Sequence, residues 1–312
     1  DAIDGGLGLA PMETDRAGDE GSPLSFTLSV LDIPGATVET FHPKAVHLYG
    51  NTLYVANDAP GHYSLEVFDV SSGNVRHVKS MVEWMNGDKK ETFAGEPNGV
   101  TRSYGKIYVT NTGSRTDVFD AETYEFITCI GTGTWGEGGY QTVHAFDVTA
   151  SQGAVFIRDK RKLVVVLEQD VQPGSAARVP IYSRSVNLQE AMGTYAVAAR
   201  NDGFLYVTAQ NKNIIYLFDP ADIRAGDTGF APYLVTLGFE KSPQSIAFVG
   251  DRLFVTLRVD DKRSELWEIS PKNGKLLQDF TDSMVYPEKI AGARHTLLVV
   301  DRATQTVKAI GL

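Results

Sequence analysis

Residues 43–57 read PKAVHLYGNTLYVAN, two short apolar runs hinged on Gly50-Asn51. The second run, LYVAN at 53–57, has close copies down the chain: IYVTN at 107–111, VFIRD at 155–159, LYVTA at 205–209, LFVTL at 253–257 and LLVVD at 297–301. The second residues of these copies are Tyr54, Tyr108, Phe156, Tyr206, Phe254 and Leu298, at intervals of 54, 48, 50, 48 and 44 residues. Such a period is too long for a leucine-rich repeat, at about 20–29 residues, and suits a four-stranded propeller blade, at about 40–50.

The first run is repeated too, often entered by a proline: PNGVTR at 97–102, VHAFDV at 143–148, TYAVAA at 194–199, PQSIAF at 243–248 and PEKIAG at 287–292. Tight turns join the two runs, at Gly50-Asn51, Gly105-Lys106, Gly153, Asp202-Gly203, Gly250-Asp251 and Arg294-His295. Gly and Asn tolerate the positive φ that hairpin turns require. A third run follows in each copy, such as LEVFDV at 65–70, TDVFDA at 116–121 and ELWEIS at 265–270, and a fourth is evident at Lys275 to Phe280. β-Branched and aromatic residues dominate these runs, as strand packing favours. Six evenly spaced units of three to four strands predict an all-β fold, a six-bladed β-propeller. Residues 186–193, VNLQEAMG, are the one stretch expected to form a turn or two of helix.

The sixth copy stops at Leu312, after its third strand. Its missing strand is available at the other end, where Leu24, Phe26, Leu28 and Val30 alternate with Ser25, Thr27 and Ser29. That period of two predicts that residues 24–35 close the last blade. The propeller then occupies residues 24–312 as one domain, because single blades are too small to stand alone.

The 312 residues carry 29 Lys and Arg against 39 Asp and Glu, a formal charge of −10. That balance argues against a sequence-independent nucleic-acid binder, which needs a dense positive face. No apolar run approaches the roughly 20 residues of a membrane-spanning helix. One cysteine, Cys129 in EFITCIG, excludes an internal disulfide and reads as a buried, inert thiol. The sequence opens at Asp1, and residues 1–23 hold six acids against Arg16, with several Gly and two Pro. This composition is expected of a flexible acidic tether. It suits an exported protein of a bacterial periplasm or cell surface, with a lipid anchor on a removed preceding residue.

The unit P-x-small-V, then G-x-[LI]-[YF]-V-x-[ND], then a strand ending in Phe-Asp, resembles the NHL repeat. SPQSIAF at 242–248 and LVVDRA at 298–303 are close matches, and GTGTWGEGGY at 131–140 resembles that family's glycine-rich blade connection. The resemblance covers roughly residues 40–312 and extends to six-bladed propellers of the bacterial envelope. It implies the fold and leaves function open, because propellers host many activities. A phosphate cradle in the glycine-rich stretch is disfavoured, since a strand and not a helix follows it.

Propellers commonly use the mouth of the central channel. The residues following the proline position are Lys44, Asn98, His144, Tyr195, Gln244 and Glu288, expected to form a polar ring at one mouth and to bind a ligand. The leading expectation is a non-catalytic binding or scaffold module for a protein, peptide or carbohydrate, with no cofactor. The alternative is a lactonase-like hydrolase or lyase, with Asn98, Gln244 and Glu288 holding calcium and His144 as general base. Lys44 in the same ring would repel a cation, and the six histidines show no zinc spacing. No G-x-S-x-G elbow is present. Asn57, Asn111, Asp159 and Asp301 end the second strands and are expected to close turns through their side chains. Trp267 reads as inter-blade core, whereas Trp84 and Trp135 lie in connections and are expected to fold back over the blade edges. Asp159 to Lys162 and Asp260 to Arg263 read as solvated turns, and the connections at 58–64, 81–96, 169–190 and 220–232 as the variable surface.

Overall fold

The computed structural model describes residues 22–71, 74–131, 144–159, 162–172, 186–187, 196–219, 235–293 and 295–312. They form six four-stranded antiparallel sheets, each consecutive in sequence but the last. The innermost strands of blades 1 to 6 are Pro43–Tyr49, Pro97–Ser103, Ala145–Ser151, Val197–Ala199, Ser242–Val249 and Pro287–Ala293. The six-bladed propeller is therefore the observed fold. The turns after the first strands of blades 1 and 5 place Gly50 and Gly250 at φ 58°, where a side chain would be strained.

The last blade is closed by the N-terminal segment. Phe26, Thr27 and Leu28 pair with Ala309, Lys308 and Val307. The Leu24 amide also donates to Thr296 Oγ1 at 2.8 Å. The paired strand is shorter than the alternation over 24–35 predicts, running only Phe26–Leu28. Ser29 ends it: its amide donates to Asp32 Oδ2 at 2.7 Å, and its hydroxyl accepts from Leu31, which caps a 3-10 turn over Val30–Asp32.

Every junction between neighbouring blades holds its own apolar cluster. Tyr54 of blade 1 packs with Val100 and Val109 of blade 2. Tyr108 packs with Val155 and Ile157, Phe156 with Leu205 and Val207, Tyr206 with Leu253 and Val255, and Phe254 with Leu297 and Val299. Leu298 completes the circle with Leu53 and Val55 of blade 1, joined there by Leu28 from the closing strand. The recurrent second residue of the pentapeptides is thus the side chain each blade inserts into its neighbour. A polar link adds to one junction: Lys106 Nζ donates to Glu168 Oε1 at 2.8 Å and the Tyr108 hydroxyl donates to the other carboxylate oxygen.

Near the axis the backbones are so close that side chains are excluded. A Cβ on Gly292 would collide with the Phe248 carbonyl of blade 5, and one on Gly99 would lie 2.8 Å from the Asp147 Cα of blade 3.

One expectation needs correction. Val186–Asn187 lies in the stretch read as helix, yet it is the outer strand of blade 3, paired with Leu163 and Lys162. Its polar flanks gave a helical appearance, but an unpaired sheet edge was available to take it. The connection at 81–96 is also structured, as a hairpin of Glu83–Asn86 and Lys89–Thr92. It carries Trp84 back into the blade 1–2 core, where its ring lies 4.9 Å from those of Phe93 and Phe119. Trp267 is partly buried against the blade 4–5 cluster. Cys129 is half-buried, and burial pushes its thiol up to about 11. Trp135, Tyr195, most of the glycine-rich stretch and the tether lie outside the described residues.

Leu28 is fully buried at the closure. Leu28→Ala should cost about 2–4 kcal/mol in urea unfolding, far more than Leu31→Ala at the exposed position beside it. Equal small losses would mean that the closing strand carries no part of the core.

Candidate functional site

The register of the innermost strands shows how the mouth is built. In blades 1, 2, 5 and 6 a bulge follows the proline, so that Lys44, Asn98, Gln244 and Glu288 fall outside the ladder. A bulge re-aims one side chain, and such features concentrate at the rims of β folds. All four residues line a single cavity of about 820 Å³ at this mouth. In blade 3 the bulge falls one residue beyond Ala145, which takes the place of the proline. The equivalent position is therefore Phe146, which lines the same cavity, and not His144. His144 sits two residues earlier, its Nδ1 3.1 Å from the Thr112 carbonyl. Tyr195, the expected member from blade 4, is among the residues not described.

Two cations share one carboxylate at the mouth. Lys44 Nζ donates to Glu288 Oε1 at 2.8 Å and lies 3.9 Å from Asp58. Arg302 Nη1 approaches the same Glu288 oxygen at 3.2 Å. Burial opposes ionisation of Glu288, but Lys44, Arg302 and Lys289 outweigh it and hold its pKa below the ordinary 4.5. Asp58 goes the other way: burial, with Glu288 and Glu96 nearby, raises it in spite of Lys44. The Gln244 side-chain oxygen accepts from Ser264 Oγ at 2.9 Å. Asn98 is 5% exposed, and its Nδ2 has no hydrogen-bond partner. Phe146, Val285 and Tyr286 give the cavity an apolar wall.

This donor set does not suit calcium, which wants six to eight oxygens and little competing positive charge. The single carboxylate among Asn98, Gln244 and Glu288 is held by two cations, and a metal would have to displace both. Nor does a lowered carboxylate pKa suit general acid–base work near neutrality, where the useful pKa lies close to the operating pH.

One level below, the equivalent residues are Ala45, Gly99, Asp147, Ser245 and Lys289. Three are small, and the two that are long belong to blades 3 and 6, which face each other across the ring. Lys289 Nζ lies 3.4 Å from Asp147 Oδ2, which also accepts from the Val197 amide at 3.0 Å. Lys289 is buried and Asp147 half-buried, and desolvation raises Asp147 and lowers Lys289 against their mutual attraction. This bar across the channel was not read from the sequence. A carboxylate and an ammonium at matched positions of opposite blades were its only signal.

The turn-closing role expected of the second-strand ends holds where it can be seen in full. Asn57 Oδ1 accepts from the His42 amide at 2.7 Å, and its Nδ2 donates to the Thr40 and His62 carbonyls. Asp301 accepts from the Val285 and Tyr286 amides at 3.0 and 2.9 Å. Asn111 departs from the pattern and donates to Asp117 Oδ2 at 2.9 Å. Asp117 is fully buried, and burial pushes its pKa up to about 7 although Arg115 Nε lies 2.7 Å away. That contact is poorly aligned, since neither Arg115 Nε nor Asp117 Oδ1 makes a hydrogen bond. Arg115 is shared with Glu91 and the Thr92 carbonyl of the added hairpin.

By fold the chain is a six-bladed β-propeller. It is similar to the β-propeller domain of Cps50 (Swd1) from Myceliophteria thermophila, with a TM-score of 0.57 and 13% identity over 89% of this chain and 98% of that one. A likeness at that identity speaks for the fold alone. No family model matches the sequence. No curated protein matches it either. No helix among the described residues is long and apolar enough to cross a membrane.

Two pH dependences follow. Glu288 is depressed, so the stability it contributes is present above its unfolded pKa and is lost as pH falls through the lower folded value. Glu288→Gln should flatten that acid limb of a urea-unfolding series, and an unchanged limb would refute the assignment. Asp117 is raised, so the folded chain keeps a proton that the unfolded chain has released, and stability falls as pH rises from about 4 to about 7. Asp117→Asn should abolish that slope and be relatively most stabilising above pH 7. A slope that survives in the variant belongs to another group.

Proposed function

We propose that this chain is a non-catalytic binding propeller whose ligand enters the mouth framed by Lys44, Asn98, Gln244 and Glu288. The observation that carries the reading is the repeated bulge, which turns one side chain from each of five blades into a common cavity of about 820 Å³. Lys44 and Arg302 converge on Glu288, the wall is partly aromatic, and Asn98 holds a buried donor with no partner. Ligands with their own donors and acceptors, a carbohydrate or a peptide, match that set of groups. The quoted repeats support an NHL-like affiliation. The acidic tether supports an exported chain at a bacterial envelope, anchored by a lipid.

Glycan and peptide arrays probed with the full chain test the reading. Asn98→Ala combined with Gln244→Ala should weaken any captured ligand about tenfold or more, in line with loss of one or two hydrogen bonds worth about 1 kcal/mol each. Calcium-dependent hydrolysis of lactones or esters by the purified protein would overturn it. Fractionation and lipid labelling in the source cell check the export reading separately.

A further inference from the structure

The opposite mouth of the channel carries a second feature. Registered on the bulges, the fifth level of the innermost strands is occupied by Leu48, Ala150, Phe248 and Gly292 in four blades, and by Ala199 in blade 4. In blade 2 the same level is Arg102, opposite Ile107 on the neighbouring strand. A charge has been placed where the other five blades are apolar.

The Arg102 guanidinium lies 3.5 Å from the centre of the Tyr49 ring of blade 1. Its Nε is buried without a hydrogen-bond partner. Among the described residues it makes no ion pair. His47 of blade 1 also feels this charge: burial, reinforced by Arg102, pushes it down to about 4, so the imidazole is neutral and adds no second positive charge. Arg102, His47, Tyr104 and Gln152 line a cavity of about 290 Å³. The one carboxylate lining it is Asp147, already held by Lys289 and the Val197 amide. Arg200, also on this rim, is bound to Asp202.

A partly desolvated guanidinium without a counterion is costly to a fold, and its planar fork of donors matches carboxylate and phosphate geometry. We propose that this mouth is a receptor for a small oxyanion, carboxylate or phosphate, seated on the Arg102 guanidinium. The aromatic face of Tyr49 fixes the plane of the fork. The side-chain amide of Gln152 is committed to the Asp202 carbonyl at 2.9 Å and shapes the rim instead of binding. This site is independent of the mouth at Lys44, from which the Asp147–Lys289 bar separates it.

The test is a titration of the full chain, labelled with ¹⁵N, with acetate and separately with inorganic phosphate, at constant ionic strength set by chloride. The Arg102 Nε–H resonance, assigned by its absence in Arg102→Gln, is followed. Saturable movement with acetate alone identifies a carboxylate site, and movement with phosphate identifies a phosphate site. Arg102→Lys keeps the charge and loses the fork; followed through the backbone amides of Tyr49 and Ser103, which are tracked in the wild type as well, it should bind about tenfold more weakly or worse. No saturable movement with either anion in the wild type overturns the proposal, whether or not the variants fold. Undiminished affinity in Arg102→Lys overturns it as well, because a point charge would then suffice.

Discussion

The structure depends on closure of a ring whose six junctions each hold an apolar cluster. Each blade hands one large side chain to the next, and the handing-on works only if the first and last blades also meet. Three residues of the N-terminal segment make that last sheet four strands wide, with Leu28 driven into the junction. The inner strands then approach so closely that Gly99 and Gly292 admit no side chain. Everything at the axis inherits its geometry from that crowding. The bulges point into a common space because the strands that bear them are held at fixed spacing.

Crowding also decides which charges survive near the axis. At the first level the long side chains splay into the mouth and satisfy one another, Lys44 and Arg302 about Glu288. At the second level small residues leave room for one bar, Asp147 to Lys289. At the fifth level the strands are apolar except in blade 2, where Arg102 lies against Tyr49. A single ring of polar residues, as the sequence suggests, is in fact three levels with different electrostatic character.

The fold was legible because its signals are local. The pentapeptides, the turns and the period-two segment at the N-terminus each fix a few neighbouring residues, and their repetition does the rest. The mouth was legible in four of its members because a proline marks the bulge in blades 1, 2, 5 and 6. In blade 3 Ala145 stands in the proline's place, so counting from the surrounding run put His144 two residues short of Phe146. The Asp147–Lys289 pair was invisible because it joins residues far apart in sequence through a ring whose register must be known first. Arg102 was passed over for a similar reason. Within PNGVTR it looks like an ordinary alternating polar residue, and only alignment on the bulges shows that its counterparts are apolar. The short strand at Val186–Asn187 was misjudged because its pairing with Leu163 is supplied by the sheet and not by its own sequence.

The bar between opposite blades gives the two mouths a common floor, with Asp147 lining the cavity beside Arg102 and Lys289 the one beside Lys44. A ligand that draws on either charge alters the ion pair, so the two faces of the ring share one electrostatic element although each has its own cavity.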